Sequence, residues 1–147
     1  VGINIEDGIV KNGKRELGAH EVLVEKIKAI KNKVDIFINA RADTYTTKHP
    51  QAIEASINRA LLYKEVGAEG IFVPLIEMEA DLKTFVKNVD IPLNVFTTPN
   101  LPDYQKLTNL GVKRISHGAK QYDNLMKKSE EIFNSFLNTK EYKIVLG

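Results

Sequence analysis

Cysteine is absent from this 147-residue chain. Its absence excludes disulfides, thiolate zinc sites and cysteine nucleophiles, and it fits a reducing cytosol. Long hydrophobic runs are missing too. No window approaches the roughly 18 consecutive apolar residues of a membrane-spanning helix, and the first residues lack the basic-then-apolar order of a signal peptide. A cytoplasmic location without a membrane partner is therefore expected. Neither sign of charge dominates: 21 Lys and Arg stand against 19 Asp and Glu, a formal net charge of +2. The lysines are spread along the chain, so no nucleic-acid partner is expected. The densest basic stretch, KIKAIKNK (26 to 33), reads as the solvated face and last turn of a helix. No strand-to-helix turn carries a glycine-rich phosphate fingerprint.

What is present suits one well-cored domain over residues 1–147, with 43% hydrophobic and 27% charged residues. Short apolar or β-branched runs recur: VGINIE (1 to 6), VDIFINAR (34 to 41), GIFVP (70 to 74), IPLNVF (91 to 96) and KRISHG (113 to 118). Such runs suit strands covered by neighbouring elements. Helical patterns lie between them. Leu23, Ile27 and Ile30 recur at helical spacing, as do Ile53, Ile57 and Leu61 in a helix that begins near Pro50 and stops at Gly67. Two shorter helices follow, the second stopping at Gly111. Another runs from about 122 to 137, with Leu125, Ile132 and Phe136 on one side. The last ten residues read either as a short strand or as an ordered tail. Five βα units in series imply an α/β fold with a parallel sheet and right-handed crossovers.

The polar residues fall where those strands end. Glu6 and Asp7 close the first run, Arg41 and Asp43 the second; Asn94 lies late in the fourth, and Ser116 and His117 close the fifth. In parallel α/β folds the C-terminal strand ends converge on the face where ligands bind. Each residue also has a plain structural reading. Asp7 suits a turn before Gly8, Asp43 and Thr44 a loop cap, Asn94 a partner for nearby backbone, and Ser116-His117-Gly118 the start of a helix. Taken together, charged groups ending apolar strands are costly unless they meet a metal, a substrate or one another.

The segments GINIEDG, FINARADTY, RALLYKEVGAEGIFVP, IPLNVF and LGVKRISHG resemble, in order and spacing, the later half of the isocitrate lyase/phosphoenolpyruvate mutase superfamily. The similarity is strongest to its phosphoenolpyruvate phosphomutase-like and carboxyvinyl-carboxyphosphonate phosphorylmutase-like members. The resemblance implies a partial TIM-type (β/α)8 barrel, with these units as its strands 4 to 8 and the chain as a fragment that lacks activity alone. It implies Mg²⁺ held through Glu6, Asp7 as a supporting partner, and Arg41 gripping the substrate's carboxylate or phosphoryl oxygens with Asp43 orienting it. Asn94 and Ser116 match late-strand polar positions of the catalytic and substrate-binding set. The implied substrate is phosphoenolpyruvate, a phosphonate or a related small 2-oxo acid, and the implied assembly is a homo-oligomer, a tetramer by analogy.

Departures narrow the chemistry. Lyases of the superfamily carry a Lys-(Lys or Arg)-Cys-Gly-His signature whose cysteine acts as general acid, and here the stretch is GIVKNGKRELGAH. That argues against isocitrate-type C–C cleavage. Lys11 and Asn12 read as a solvated loop rather than a phosphoryl-gating pair, His20 as a surface or partly buried histidine inside or just before a helix, and His49 as a helix-entry residue, while His117 has no assigned role. The competing reading is a non-catalytic, doubly wound five-stranded binding module. It predicts helices on both sheet faces.

Overall fold

The computed structural model describes residues 1–147. In chain order the first elements are β1 (Gly2–Glu6), β2 (Gly8–Lys11), β3 (Lys14–Leu17), α1 (His20–Lys31), β4 (Phe37–Arg41) and α2 (Ala52–Glu65). There follow β5 (Gly70–Phe72), α3 (Glu79–Asn88), β6 (Leu93–Phe96), α4 (Tyr104–Asn109), β7 (Arg114–Ser116), α5 (Lys120–Thr139) and α6 (Lys143–Leu146). Residues Val1–Ser116 form one compact unit and His117–Gly147 another.

In the first unit β1, β4, β5, β6 and β7 make one parallel sheet in that spatial order. Each strand lies beside the next one in the chain, with a helix in every crossover. A doubly wound sheet reverses its order at a switch point, and this one never does. Its winding is that of a barrel segment, which removes the doubly wound alternative. Alternate residues explain the layering. Ile38, Ala40, Ile71, Val73, Leu93 and Val95 join one apolar core with Leu23 and Ile27 of α1, Ala60 of α2, and Leu82 and Phe85 of α3. The opposite face is polar: Asn39 donates to Asn4 at 2.7 Å, and Glu6, Arg41, Phe72, Asn94 and Arg114 are register partners across all five strands. Residues of β1 and β4 and Arg114 of β7 border a common cavity of about 300 Å³, so the sheet's outer strands curve toward each other.

The helices begin and end where local chemistry allows. Glu21 sits in the first turn of α1 and Lys28 and Lys31 in the last, each complementing the helix dipole. Asp103 caps α4 by accepting from the Lys106 amide at 2.9 Å. Gly67 adopts φ +108° just past α2, a conformation that favours glycine. Two expectations need correction. Leu61 is exposed, while Ile53 and Ile57 pack half-buried against the core beside the fully buried Ser56, Ala60 and Tyr63 of α2; two small residues let the helix approach the sheet. Residues 8–17 are not a loop but the antiparallel hairpin β2–β3, in register Lys11 with Lys14. Asn12 and Gly13 take φ 51° and 73° at its tip, the primed two-residue turn that an Asn-Gly pair favours.

The regular elements of the second unit are α5 and the four-residue α6, so the last ten residues form no strand and order as the end of α5, a turn and α6. Lys140 ends α5 with φ 61°, and Phe136 meets Tyr142 at 5.6 Å between ring centroids. No residue of α5 is buried; Leu125, Ile132, Phe133 and Leu137 are all exposed. No helix of the chain is long and apolar enough to cross a membrane.

Candidate active site

The two acids that end β1 have different surroundings. Strand alternation turns Glu6 toward the polar face of the sheet beside its register partner Arg41, with Glu6 Oε2 3.3 Å from Arg41 Nε. Asp7 turns the other way and is buried. Its Oδ1 accepts the Asp43 amide at 2.9 Å. Its Oδ2 accepts Arg59 Nη1 at 2.8 Å and the Tyr63 hydroxyl at 2.6 Å. Arg59 and Tyr63 are one helical turn apart on α2, so a single helix face meets a single carboxylate.

Asp43 is wholly buried and fully used. Oδ1 receives Arg41 Nε at 2.9 Å, Arg41 Nη2 at 2.7 Å and Thr46 Oγ1 at 2.6 Å. Oδ2 receives Arg15 Nη1 at 2.7 Å, and the same Nη1 lies 3.1 Å from Glu6 Oε2. Arg15 comes from β3 of the hairpin. Gly8 makes room for it: a Cβ there would fall on the Asp43 carboxylate and the Arg15 guanidinium. The base of the hairpin is tied down as well, because Gly18 donates to the Asp7 carbonyl at 2.9 Å and Arg59 Nη2 donates to the Gly18 carbonyl at 2.9 Å. Three carboxylates and three guanidiniums thus interlock. The arrangement compensates buried charge with charge and hydrogen bonds.

Titration behaviour follows from these contacts. The hydrogen bond to Glu6, with the charge of Asp43, holds Arg15 above its ordinary value. Burial works against the charge of Arg59, yet Asp7 and the Tyr63 contact carry it above its ordinary value. Burial, then the charge of Asp7 and the hydrogen bond to it, push the Tyr63 hydroxyl far up. Arg41 has its Nε edge and Nη2 on Asp43, its plane 5.5 Å from the Phe72 ring centroid, and its Nη1 uncommitted.

Farther along the sheet, Ser116 Oγ donates to Asn94 Oδ1 at 3.0 Å, while the buried Asn94 Nδ2 has no partner. Phe72 lies between the two groups, with Arg41 on its ring and Phe96 at 6.5 Å. Of the residues singled out in the sequence, Glu6, Asp7, Arg41 and Asp43 form one cluster, and Asn94 and Ser116 a second on the same sheet face. Lys11 and Asn12 sit at the exposed hairpin tip, and His117 opens the second unit. Arg15, Arg59 and Tyr63 went unnamed by sequence reasoning. The Asn-Gly pair could have revealed the hairpin that delivers Arg15, and the four-residue spacing of Arg59 and Tyr63 their shared face.

No group of three or more acidic, histidine or cysteine side chains that could hold a metal ion occurs. Magnesium asks less, since it keeps several waters and takes one or two carboxylates plus substrate oxygens. Asp7 and Asp43 are committed to donors. Glu6, 39% exposed, is the one carboxylate of the cluster that fits, through its uncommitted Oε1.

The model of the family described as phosphoenolpyruvate phosphomutase matches residues 1–137. An uncharacterized protein of Mycobacterium tuberculosis is 37% identical over 122 residues, covering 82% of this chain and 45% of that one. The 2,3-dimethylmalate lyase of Eubacterium barkeri is 42% identical over 72 residues, 47% of this chain and 24% of that one. The crystal structure of a phosphonomutase candidate from Burkholderia cenocepacia J2315 superposes with a TM-score of 0.81 at 30% identity, covering 91% of this chain and 57% of that one. The chain spans about half the length of the mycobacterial relative and of this solved structure.

Proposed function

The chain belongs to the phosphoenolpyruvate phosphomutase family, and from that premise we propose that its strand-end cluster binds the anionic group of a small 2-oxo acid or phosphonate. The observation that carries this reading is the Arg41 fork, held by buried Asp43 next to Glu6 at the ends of two adjacent strands. A guanidinium fixed in this way meets a carboxylate or phosphoryl group without first losing rotamer freedom. Asp43 orients Arg41, and Asp7 holds Asp43 through its amide. Asn94 offers a buried, unspent N–H₂ donor, and Ser116 sets the amide's orientation by taking its carbonyl side.

Glu6 is the residue of this chain that would hold Mg²⁺, with water and substrate oxygens completing the coordination. A bound Mg²⁺ stabilises an enolate-like or transferring oxyanion. The chain's own share is to orient the anion on Arg41 and present Asn94 Nδ2 to a second oxygen. Without cysteine, the general-acid step of the superfamily's C–C lyases has no counterpart here, which favours phosphoryl-transfer or related enolate chemistry. A cytoplasmic location belongs to the same proposal, supported by the cysteine-free composition. So does self-association, supported by the exposed apolar side of α5.

The test is turnover by the intact protein with Mg²⁺ against phosphonopyruvate, oxaloacetate and phosphoenolpyruvate. Arg41→Ala and Glu6→Ala are each expected to lower kcat/KM at least about 100-fold, the scale of one lost electrostatic contact in a site. Unchanged activity in both variants rejects the assignment.

A further inference from the structure

Arg15 and Arg41 share the same two acids, but their seats differ. Arg41 reaches Asp43 through two nitrogens and lies over Phe72, which fixes its plane. Arg15 meets both carboxylates through Nη1 alone, at 2.7 Å from Asp43 and 3.1 Å from Glu6. Its side chain is 35% exposed, its Nε and Nη2 are uncommitted, and it rides on a hairpin whose strands are mostly exposed. A cation arriving at Glu6 therefore meets a positive group already seated at that carboxylate, and this group is free to swing while keeping its bond to Asp43.

We propose that Arg15 is a built-in counter-cation of Glu6 that competes with a divalent metal ion there, and that on release from Glu6 its open guanidinium edge grips the substrate's anionic group. The inference rests on the site reading above and deepens it. Arg15 becomes a specificity-determining residue that selects a doubly charged ligand group, such as a phosphonate, by adding a second guanidinium to Arg41. The charge arithmetic gives the logic. Glu6 and Asp43 balance Arg15 and Arg41; a divalent ion at Glu6 repels Arg15 and raises the cluster to a net charge of +2, which a doubly charged anion compensates. Metal and anion then strengthen each other's binding by the same factor, as linkage requires.

Calorimetric titration of the intact protein with Mn²⁺ alone and with sulfate alone tests this without turnover. Arg15→Gln is expected to tighten Mn²⁺ about fivefold and to weaken sulfate by a similar factor, the upper end for a solvent-exposed charge pair. Arg15→Lys keeps the charge and is expected to leave Mn²⁺ affinity near wild type. Mn²⁺ affinity in Arg15→Gln that is unchanged or weaker, including no binding in either protein, overturns the proposal and leaves Arg15 as a brace for Asp43. Should Arg15→Gln fail to fold, the wild type decides: sulfate must tighten Mn²⁺, and independence of the two overturns the proposal. Inactivity toward every substrate tried, with the Mn²⁺ and sulfate responses intact, would reject the proposed reaction and keep the role of Arg15.

Discussion

Tyr63→Phe removes one oxygen from the middle of the charge network and nothing else. Tyr63 is wholly buried, so the ring stays in place and no cavity opens. The lost contact is the 2.6 Å hydrogen bond to Asp7 Oδ2, with a weaker 3.3 Å bond from Arg59 Nη1. A hydrogen bond to a charged group contributes about 1.5–3 kcal/mol. Asp7 keeps Arg59 and the Asp43 amide, so no acceptor is stranded and the lower end applies, about 1.5–2 kcal/mol. For a chain of this size the corresponding fall in Tm is about 3–8 °C. Urea unfolding followed by circular dichroism should show a lower midpoint at unchanged slope. The pH dependence adds a second check. Burial and Asp7 raise the hydroxyl's folded-state pKa, so its contribution is whole below the unfolded-state value of about 10 and is lost as pH rises past that toward the folded-state value. The gap between wild type and Tyr63→Phe should therefore be constant through neutral pH and shrink in strong alkali. A Tm shift below about 1 °C would refute the reasoning, as would a gap that ignores alkali.

Two more predictions rest on single side chains. Asn94→Leu keeps the shape of the side chain while removing its unpartnered donor and the acceptor of Ser116 Oγ; Ser116 is only half-buried, so its hydroxyl turns to water and the stability cost stays small. Substrate KM should rise about tenfold or more, the worth of one hydrogen bond to a charged ligand, with Tm nearly unchanged; a large Tm loss at constant KM would make Asn94 structural. Phe133→Glu places a charge on the exposed apolar side of α5. If that side joins copies of the chain, light scattering after size exclusion should show a smaller assembly than wild type, and an unchanged mass would clear α5 of that role.

The hairpin shows how local signals can be present and still be passed over. Asn12-Gly13 between two four-residue runs is a turn signature, and β2 and β3 pair on either side of it where the superfamily's lyases carry their cysteine motif. The α2 stripe was legible in part. Ile53 and Ile57 pack against the core while Leu61 does not, because the helix turns Arg59 and Tyr63 to Asp7 and approaches the sheet at Ser56 and Ala60. Hydrophobic period finds a helix, while the tertiary partner sets its rotation.

Local chemistry was enough to place the five strands of the parallel sheet and the residues at their ends, because β-branched runs, glycine stops and strand alternation act over a few neighbours; their spatial order came from the tertiary structure. Local chemistry also put Glu6 and Arg41 on successive strand ends, where parallel pairing makes them register partners. What those ends do to one another was decided only in three dimensions. The bonds that define the site join residues 28, 52 and 56 positions apart. No periodicity runs that far, and only the curvature of the sheet and the docking of α2 and the hairpin bring those charges within hydrogen-bond reach.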